Sequence, residues 1–174
     1  IGQKRQLIII RLCCFKRNNI ARKLSSRNRL KTIVMSPSNA LIQLSIDSNS
    51  IAYLKMQDVA GKNALSAPFI EELMPVLEEL KNNPAIKVVL MSGTSDIFCS
   101  GADIETLIKL CKREIKPVDI ILSKMILDIP VPVIAAMEGH AIGGGLAIGA
   151  CADIAILGEE SRYGCSFMNM GFTP

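Results

Sequence analysis

Apolar and polar positions along this chain alternate between short apolar runs and turn-forming clusters. Residues 41–46 and 51–56 are two such runs separated by the turn-forming residues 47–50, which predicts a hairpin of two strands. Residues 86–91 and 131–137 are continuous apolar runs bounded by turn residues, a pattern typical of strands buried on both faces of a parallel sheet.

Helical periodicity occupies the stretches between these runs. Ser66 can cap a helix that ends at Asn83-Pro84 and carries an apolar stripe at Phe69, Ile70, Leu73, Leu77 and Leu80. Further helices are predicted at 103–111, 118–127 and 143–151, followed by a buried strand at 154–157. Repeated strand–helix units predict an α/β fold with parallel pairing and a ligand at the carboxyl ends of the strands.

Two glycine-containing motifs lie where predicted strands give way to helices. Residues 139–146 contain three consecutive glycines, and residues 98–103 contain Gly101-Ala102-Asp103. Free N–H groups at a helix start can bind a developing anion, and two such groups on one oxygen form an oxyanion hole. Close packing of a helix on the sheet explains a glycine cluster equally well. The spacing excludes a phosphate loop, which needs a lysine after its last glycine, and a dinucleotide fingerprint.

Four charged or titratable side chains near these motifs are candidates for chemistry, and each also has a structural interpretation. His140 is the only histidine and can act as a structural hydrogen-bond donor or as a proton donor. Asp103 begins a helix, so capping explains it as well as catalysis does. Lys109 and Lys112 fit a solvated helix face, or can contact an acidic substrate or a carrier phosphate.

Charge separates the first 34 residues from the rest. Residues 1–34 hold ten Lys or Arg and no acid, whereas residues 35–174 hold ten bases and sixteen acids. A transit peptide, a nucleic-acid arm and translated upstream sequence are the alternatives for this leader, and the change of character at Met35 favours the last. We therefore expect one domain at 35–174 that excludes the leader, and no nucleic-acid partner.

Cysteine placement and hydropathy limit the cellular context. The six cysteines are too scattered for a zinc site or a small disulfide framework, which predicts a reducing compartment, the cytoplasm. The apolar stretch 141–152 is about half the ~20 residues that a membrane-spanning helix needs, so no membrane association is expected.

Residues 98–103, 132–146 and 163–174 together resemble the crotonase superfamily, which includes enoyl-CoA hydratases and isomerases. The resemblance implies a crotonase-like α/β fold in which the N–H groups of Ala102 and Gly144 hold a thioester carbonyl. It implies further substrate contacts from Ala64, Gly101, Asp103, Gly143, Ala147 and Phe167. It implies no metal or tightly bound cofactor, since coenzyme A or phosphopantetheine is part of the substrate, and a homotrimer or hexamer. It also predicts that the chain ends before the family's C-terminal helices.

Departures from the family pattern point to a particular reaction. Ala147 and Phe167 stand where hydratases of the family carry glutamates, so ordinary hydration lacks its acid and base. Residues 163–174 resemble a subgroup that decarboxylates 3-methylglutaconyl groups on an acyl carrier protein in polyketide β-branching, which we take as the function. In that subgroup a lysine and an aromatic hydroxyl stand where this chain has Leu110 and Thr106, so His140, Lys109 or Lys112 is the candidate proton donor. The alternatives are an enoyl-CoA hydratase or isomerase and a non-catalytic fragment.

Overall fold

The computed structural model describes residues 7–10, 33–34, 40–115 and 121–165. It contains two sheets and the helices that pack on them. The strands are β1 Leu7–Ile10, β2 Ile33–Val34, β3 Ile42–Ile46, β4 Ile51–Met56, β5 Val88–Ser92, β6 Ile97–Cys99, β7 Val133–Met137, β8 His140–Ile142, β9 Ile154–Gly158 and β10 Tyr163–Gly164. The helices are α1 Ala67–Asn82, α2 Ile104–Cys111, α3 Leu122–Leu127 and α4 Gly144–Ala150.

The larger sheet has seven strands in the order β1-β9-β7-β5-β4-β3-β2. Strands β3 and β4 pair antiparallel, which confirms the predicted hairpin. Strands β4, β5, β7 and β9 pair parallel in succession, as the apolar runs predict. The mixed α/β class expected from the sequence is therefore confirmed.

Apolar side chains of this sheet and of α1 form the core. Alternate positions of β3 are buried, and the Ser66 hydroxyl accepts a hydrogen bond from the Phe69 N–H at the start of α1. The stripe residues Phe69, Leu73, Leu77 and Leu80 are at most 1% exposed. The helix ends at Asn82 and Asn83 is its C-terminal cap, as Asn83-Pro84 predicts.

The smaller sheet has three short parallel strands in the order β10-β8-β6. The chain enters it through sharp turns after β5 and β7. A Cβ atom at Gly93 would lie 2.5 Å from the Ile97 carbonyl oxygen, and one at Gly139 would lie 2.3 Å from the Ile97 nitrogen. Both turns therefore need glycine, because any side chain would overlap the backbone of β6 or of the residue before it.

Two segments of the predicted leader lie at the edges of the larger sheet. Leu7–Ile10 pairs antiparallel with β9, and Ile33–Val34 pairs antiparallel with β3. The domain boundary at residue 34 stays a prediction, and removal of the leader tests it.

Candidate active site

The first glycine motif connects β6 to α2. Gly101 has φ +84°, a conformation that residues with a side chain disfavour. It forms the turn that immediately precedes Ala102. The Asp103 carboxylate then caps α2 by accepting a 2.7 Å hydrogen bond from the Thr106 N–H. The capping interpretation of Asp103 is thus the one that the structure shows.

The second glycine motif connects β8 to α4. Gly143 has φ +55° and ψ −122°, and Gly144 is the first residue of the helix. The Gly143 N–H donates a 2.7 Å hydrogen bond to the Gly164 carbonyl at the end of β10. The turn is therefore held by the neighbouring strand of the smaller sheet.

The two turns lie directly against each other. A Cβ atom at Gly101 would lie 3.2 Å from the Gly144 nitrogen, and one at Gly144 would lie 4.0 Å from the Ala102 nitrogen. Within 40–115 and 121–165, neither the Ala102 N–H nor the Gly144 N–H donates to an acceptor. Two backbone donors from separate turns are thus adjacent and available.

Helix α4 packs closely on strands of both sheets. A Cβ atom at Gly145 would lie 2.2 Å from the Cys99 carbonyl oxygen, and one at Gly149 would lie 2.4 Å from the Met137 sulfur. Close helix packing and an N-terminal anion site, the two interpretations of the glycine cluster, are compatible. Gly145 and Gly149 allow the packing, which fixes the position of Gly144.

Cys99 lies between these elements and is not a nucleophile. Its thiol is completely buried, and burial raises its pKa to about 12, although a hydrogen bond from the Gly101 backbone lowers it somewhat. The thiol therefore stays protonated at neutral pH, and only a thiolate would attack a thioester.

His140 does not lie with the two donors. It begins β8 opposite Ile97, whereas the donors follow the carboxyl ends of β6 and β8. Its Nδ1 atom accepts a 3.0 Å hydrogen bond from the Arg162 N–H, and its backbone N–H donates to the Asp96 carbonyl. These contacts give the His140 side chain a structural role, although Nδ1 accepts a hydrogen bond and does not donate one as predicted, and its role as proton donor stays a prediction.

Lys109 and Lys112 lie on or just beyond α2, away from its first turn. The Lys109 ammonium is 2.7 Å from the Glu105 carboxylate, and this hydrogen bond and charge raise the lysine pKa. Lys112 is the exposed cap at the helix end. At 1.5 Å per residue, the backbone of Lys109 is about 9 Å along the helix from Asp103. Their role as proton donors stays a prediction.

The other residues predicted to contact the substrate lie at different distances from the two turns, and one of them is not described. Ala64 forms a parallel bridge with Gly101, so it adjoins the first turn. Ala147 lies on α4 one turn after Gly143, whose carbonyl accepts its N–H. Phe167 lies outside the described residues.

Three residues that hold the elements of the site in place were not singled out from the sequence. Asn63 and Leu65 lie in the loop beside Gly101, and the Leu65 Cδ1 atom is 3.0 Å from the Cβ position of Gly144. The Tyr163 hydroxyl donates to the Met137 carbonyl and accepts from the Gly158 N–H, which joins β10 to two strands of the larger sheet. Of these three, only Asn63 could have been noticed in the sequence, as a single asparagine in a stretch of turn-forming residues.

Two further findings concern only the part of the chain that the structure describes. There, no group of three or more His, Cys, Asp and Glu side chains could hold a metal ion. No helix in those ranges is long and apolar enough to span a membrane.

Comparison with known proteins supports the family suggested by the motifs. The family model for enoyl-CoA hydratase/isomerase matches residues 47–174. The chain is 40% identical over 136 residues to bacillaene synthase decarboxylase PksI of Bacillus subtilis (strain 168), covering 78% of this chain and 55% of that protein. It is 30% identical over 132 residues to mouse mitochondrial methylglutaconyl-CoA hydratase, covering 74% of this chain and 42% of that protein.

Solved structures give the same picture. A structure from a dehydratase/decarboxylase enzyme couple of polyketide β-branching matches with a TM-score of 0.75 at 36% identity, covering 79% of this chain and 55% of that one. The ECH2 decarboxylase domain of CurF from Lyngbya majuscula matches with a TM-score of 0.65 at 34% identity, covering 78% and 55%. The chain spans about half the length of these relatives. The crotonase-like fold is thereby confirmed, and the chain belongs to the enoyl-CoA hydratase/isomerase family of enzymes.

Proposed function

We propose that the protein containing this chain is a lyase that decarboxylates a 3-methylglutaconyl-type thioester carried on an acyl carrier protein. The observation that carries the proposal is the adjacency of two backbone donors, Ala102 and Gly144, which have no acceptor among residues 40–115 and 121–165. The choice of reaction is supported by similarity to PksI and to the CurF domain, both of which are decarboxylases.

In the proposed reaction, the bond between the terminal carboxylate and the acyl chain breaks. Carbon dioxide leaves, and the bonding electron pair moves through the conjugated double bond to the thioester oxygen, giving a dienolate. The N–H groups of Ala102 and Gly144 stabilise the negative oxygen, and a proton added to carbon completes the product. Removal of one such donor costs about 2.7–4 kcal/mol in known oxyanion holes, so this pair could supply much of the acceleration.

The side chains around the donors suit a departing anion. Ala147 is half-buried on α4 and places a methyl group where family hydratases carry a carboxylate. The carboxylates that follow Ala102 on α2 are engaged, since Asp103 caps the helix and Glu105 pairs with Lys109. These contacts do not remove the charge of Asp103 and Glu105, but Ala147 adds neither a further carboxylate to oppose that of the substrate nor a general base for water.

Of the predicted proton donors, Lys112 at the exposed end of α2 remains a candidate in this proposal, together with solvent. His140 lies at the opposite end of β8 and is bound to the Arg162 backbone, and Lys109 is paired with Glu105. Coenzyme A or phosphopantetheine as the thioester carrier, an acyl carrier protein partner, a homotrimer or hexamer, and a cytoplasmic location are part of the same proposal.

Replacing Gly144 by Pro tests the oxyanion hole. Proline removes the N–H and is tolerated at the first position of a helix, so the fold should persist. We expect kcat of the complete protein to fall about 10²–10³-fold. Gly144→Ala is the matched control, because it adds the same Cβ atom against Leu65 and keeps the donor. Equal turnover of the proline and alanine variants would contradict the proposed hole.

Replacing Ala147 by Glu tests the anionic leaving group. A carboxylate on α4 should repel the substrate carboxylate and lower decarboxylation by about tenfold, equivalent to about 1.4 kcal/mol. Ala147→Gln has the same size without the charge and serves as control. Decarboxylation of the 3-methylglutaconyl thioester is followed as carbon dioxide release, and a faster Ala147→Glu variant would sink the proposal.

A hydratase of the family is the second candidate, favoured by the 30% identity to methylglutaconyl-CoA hydratase. Its measurement is the hydration of crotonyl-CoA and methylglutaconyl-CoA by the complete protein. Hydration without carbon dioxide release would select this candidate. Failure to bind any acyl thioester would select a non-catalytic protein.

A further inference from the structure

Asn63 is the most deeply buried polar residue of the described chain. Its exposure is 0%, and the other buried polar residue among those described, Ser50, is 8% exposed. Its φ of +50° lies in the left-handed region, which asparagine tolerates better than most residues. A polar group buried in this way is costly unless each of its atoms is hydrogen-bonded.

The Asn63 amide satisfies that requirement by joining three segments. Its oxygen accepts a 2.8 Å hydrogen bond from the Asp58 N–H within its own loop. Its nitrogen lies 3.3 Å from the Met56 carbonyl oxygen at the end of β4. The same nitrogen lies 3.2 Å and 3.0 Å from the carbonyl oxygens of Ile97 and Phe98 in β6. One amide thus ties the larger sheet to the strand that leads to Ala102.

The residues beside Asn63 run along the first turn of the site. The Leu65 N–H donates a 2.8 Å hydrogen bond to the Gly101 carbonyl, and the Ser100 N–H donates to the Lys62 carbonyl. The Gly101 carbonyl belongs to the peptide group whose nitrogen is that of Ala102, so the bond from Leu65 sets the plane of the predicted donor. The Leu65 side chain also contacts the position of Gly144. The segment 62–65 therefore contacts both turns.

We propose that Asn63 is a positioning residue for the oxyanion hole, which it serves by fixing the segment 62–65 against Gly101 and Gly144. This inference rests on the proposed function, since it assigns a role in the same site. Asn63 itself is buried behind the turn and touches no substrate. Its amide both accepts and donates, so neither an aliphatic side chain nor a carboxylate can replace it. An aliphatic side chain removes the donor from the Phe98 carbonyl, and a carboxylate places negative charge against that carbonyl.

The test uses the complete protein and a bound ligand whose ionisation depends on the two donors of the oxyanion hole. Acetoacetyl-CoA ionises to an enolate with its own ultraviolet absorption, and donors that stabilise the anion lower the pKa of the bound ligand. In Asn63→Ala we expect the bound ligand's pKa to rise by about one unit, a tenfold loss of anion stabilisation. We expect kcat to fall about 10–100-fold with a small change in KM, because the donors are displaced rather than removed.

Leu77→Ala in α1 is the control, since it loses a buried side chain far along the helix from the segment. It should lower the melting temperature without moving the enolate pKa. If Asn63→Ala does not fold, Asn63→Asp makes the same measurement, because it keeps the size of the side chain and replaces the donating nitrogen with an oxygen that cannot bond the Phe98 carbonyl. If the enolate pKa does not shift in the variant that folds, the role of Asn63 is overturned and the proposed oxyanion hole is not. A wild-type protein that does not lower the ligand's pKa at all overturns the proposed hole, and the inference with it.

Discussion

The two sheets of this chain are stabilised in different ways. The larger sheet depends on burial, with alternate apolar residues of β3 and β4 packed under the apolar stripe of α1. The smaller sheet has strands of two or three residues and depends on specific contacts: the Asn63 amide, the Tyr163 hydroxyl and the close seat of α4 on Cys99. Apolar packing persists when side chains shift slightly, whereas hydrogen bonds and close backbone contacts are lost. The difference predicts that stability and activity can be changed separately.

Leu77→Ala should have the largest effect on stability. The side chain is 1% exposed in the core, and truncation of a buried leucine costs about 2–5 kcal/mol. Urea unfolding of the complete protein measures the loss, while kcat at a temperature where the variant is folded should stay within a factor of two or so of wild type. A large fall in kcat would show that the two sheets are not separable in this way.

Gly145→Ala should change both properties by a smaller amount. Its methyl group would overlap the Cys99 backbone and push α4 away from β6, and overpacking costs about 1–3 kcal/mol. Activity should fall as well, because Gly144 moves with the helix. Gly164→Ala is the matched control, since a Cβ atom there meets nothing within 4 Å. If Gly145→Ala retained full activity, the position of α4 would not control the site.

Removal of residues 1–34 should have the smallest effect. The segment pairs with the outer edges of the larger sheet, while the described core begins at Ile42. We expect a folded domain with nearly the wild-type melting temperature, measured by circular dichroism and thermal denaturation. An unfolded product would move the domain boundary into the leader.

Elements of the larger sheet could be predicted because their signals are local. The hairpin, the Ser66 cap and the end of α1 at Asn82 each follow from residues close in sequence. The smaller sheet could not, because strands such as His140–Ile142 are too short for a periodicity. The glycine motifs were therefore expected at the carboxyl ends of the larger sheet, but they follow β6 and β8 of the smaller one.

The candidate site was predictable in its backbone and less so in its side chains. Gly101 marks a position that only a bare backbone can occupy, because a Cβ atom there would lie 2.5 Å from the Ile142 carbonyl oxygen, so its residue type alone indicates a close approach of two backbone segments. Whether His140 faces that approach depends on tertiary contacts, such as its hydrogen bond to Arg162, that no local pattern encodes. The role of Asn63 depends on β6, more than thirty residues away.

Both proposed donors belong to the main chain, and this has a consequence for how the protein can change. Every amino acid except proline supplies the same N–H, so mutation cannot readily erase the ability to hold a negative oxygen. The surrounding side chains, such as Ala147, are free to vary and to determine which bond breaks. A laboratory search for new thioester chemistry in this protein should therefore randomise the pocket walls and leave the two glycine turns untouched.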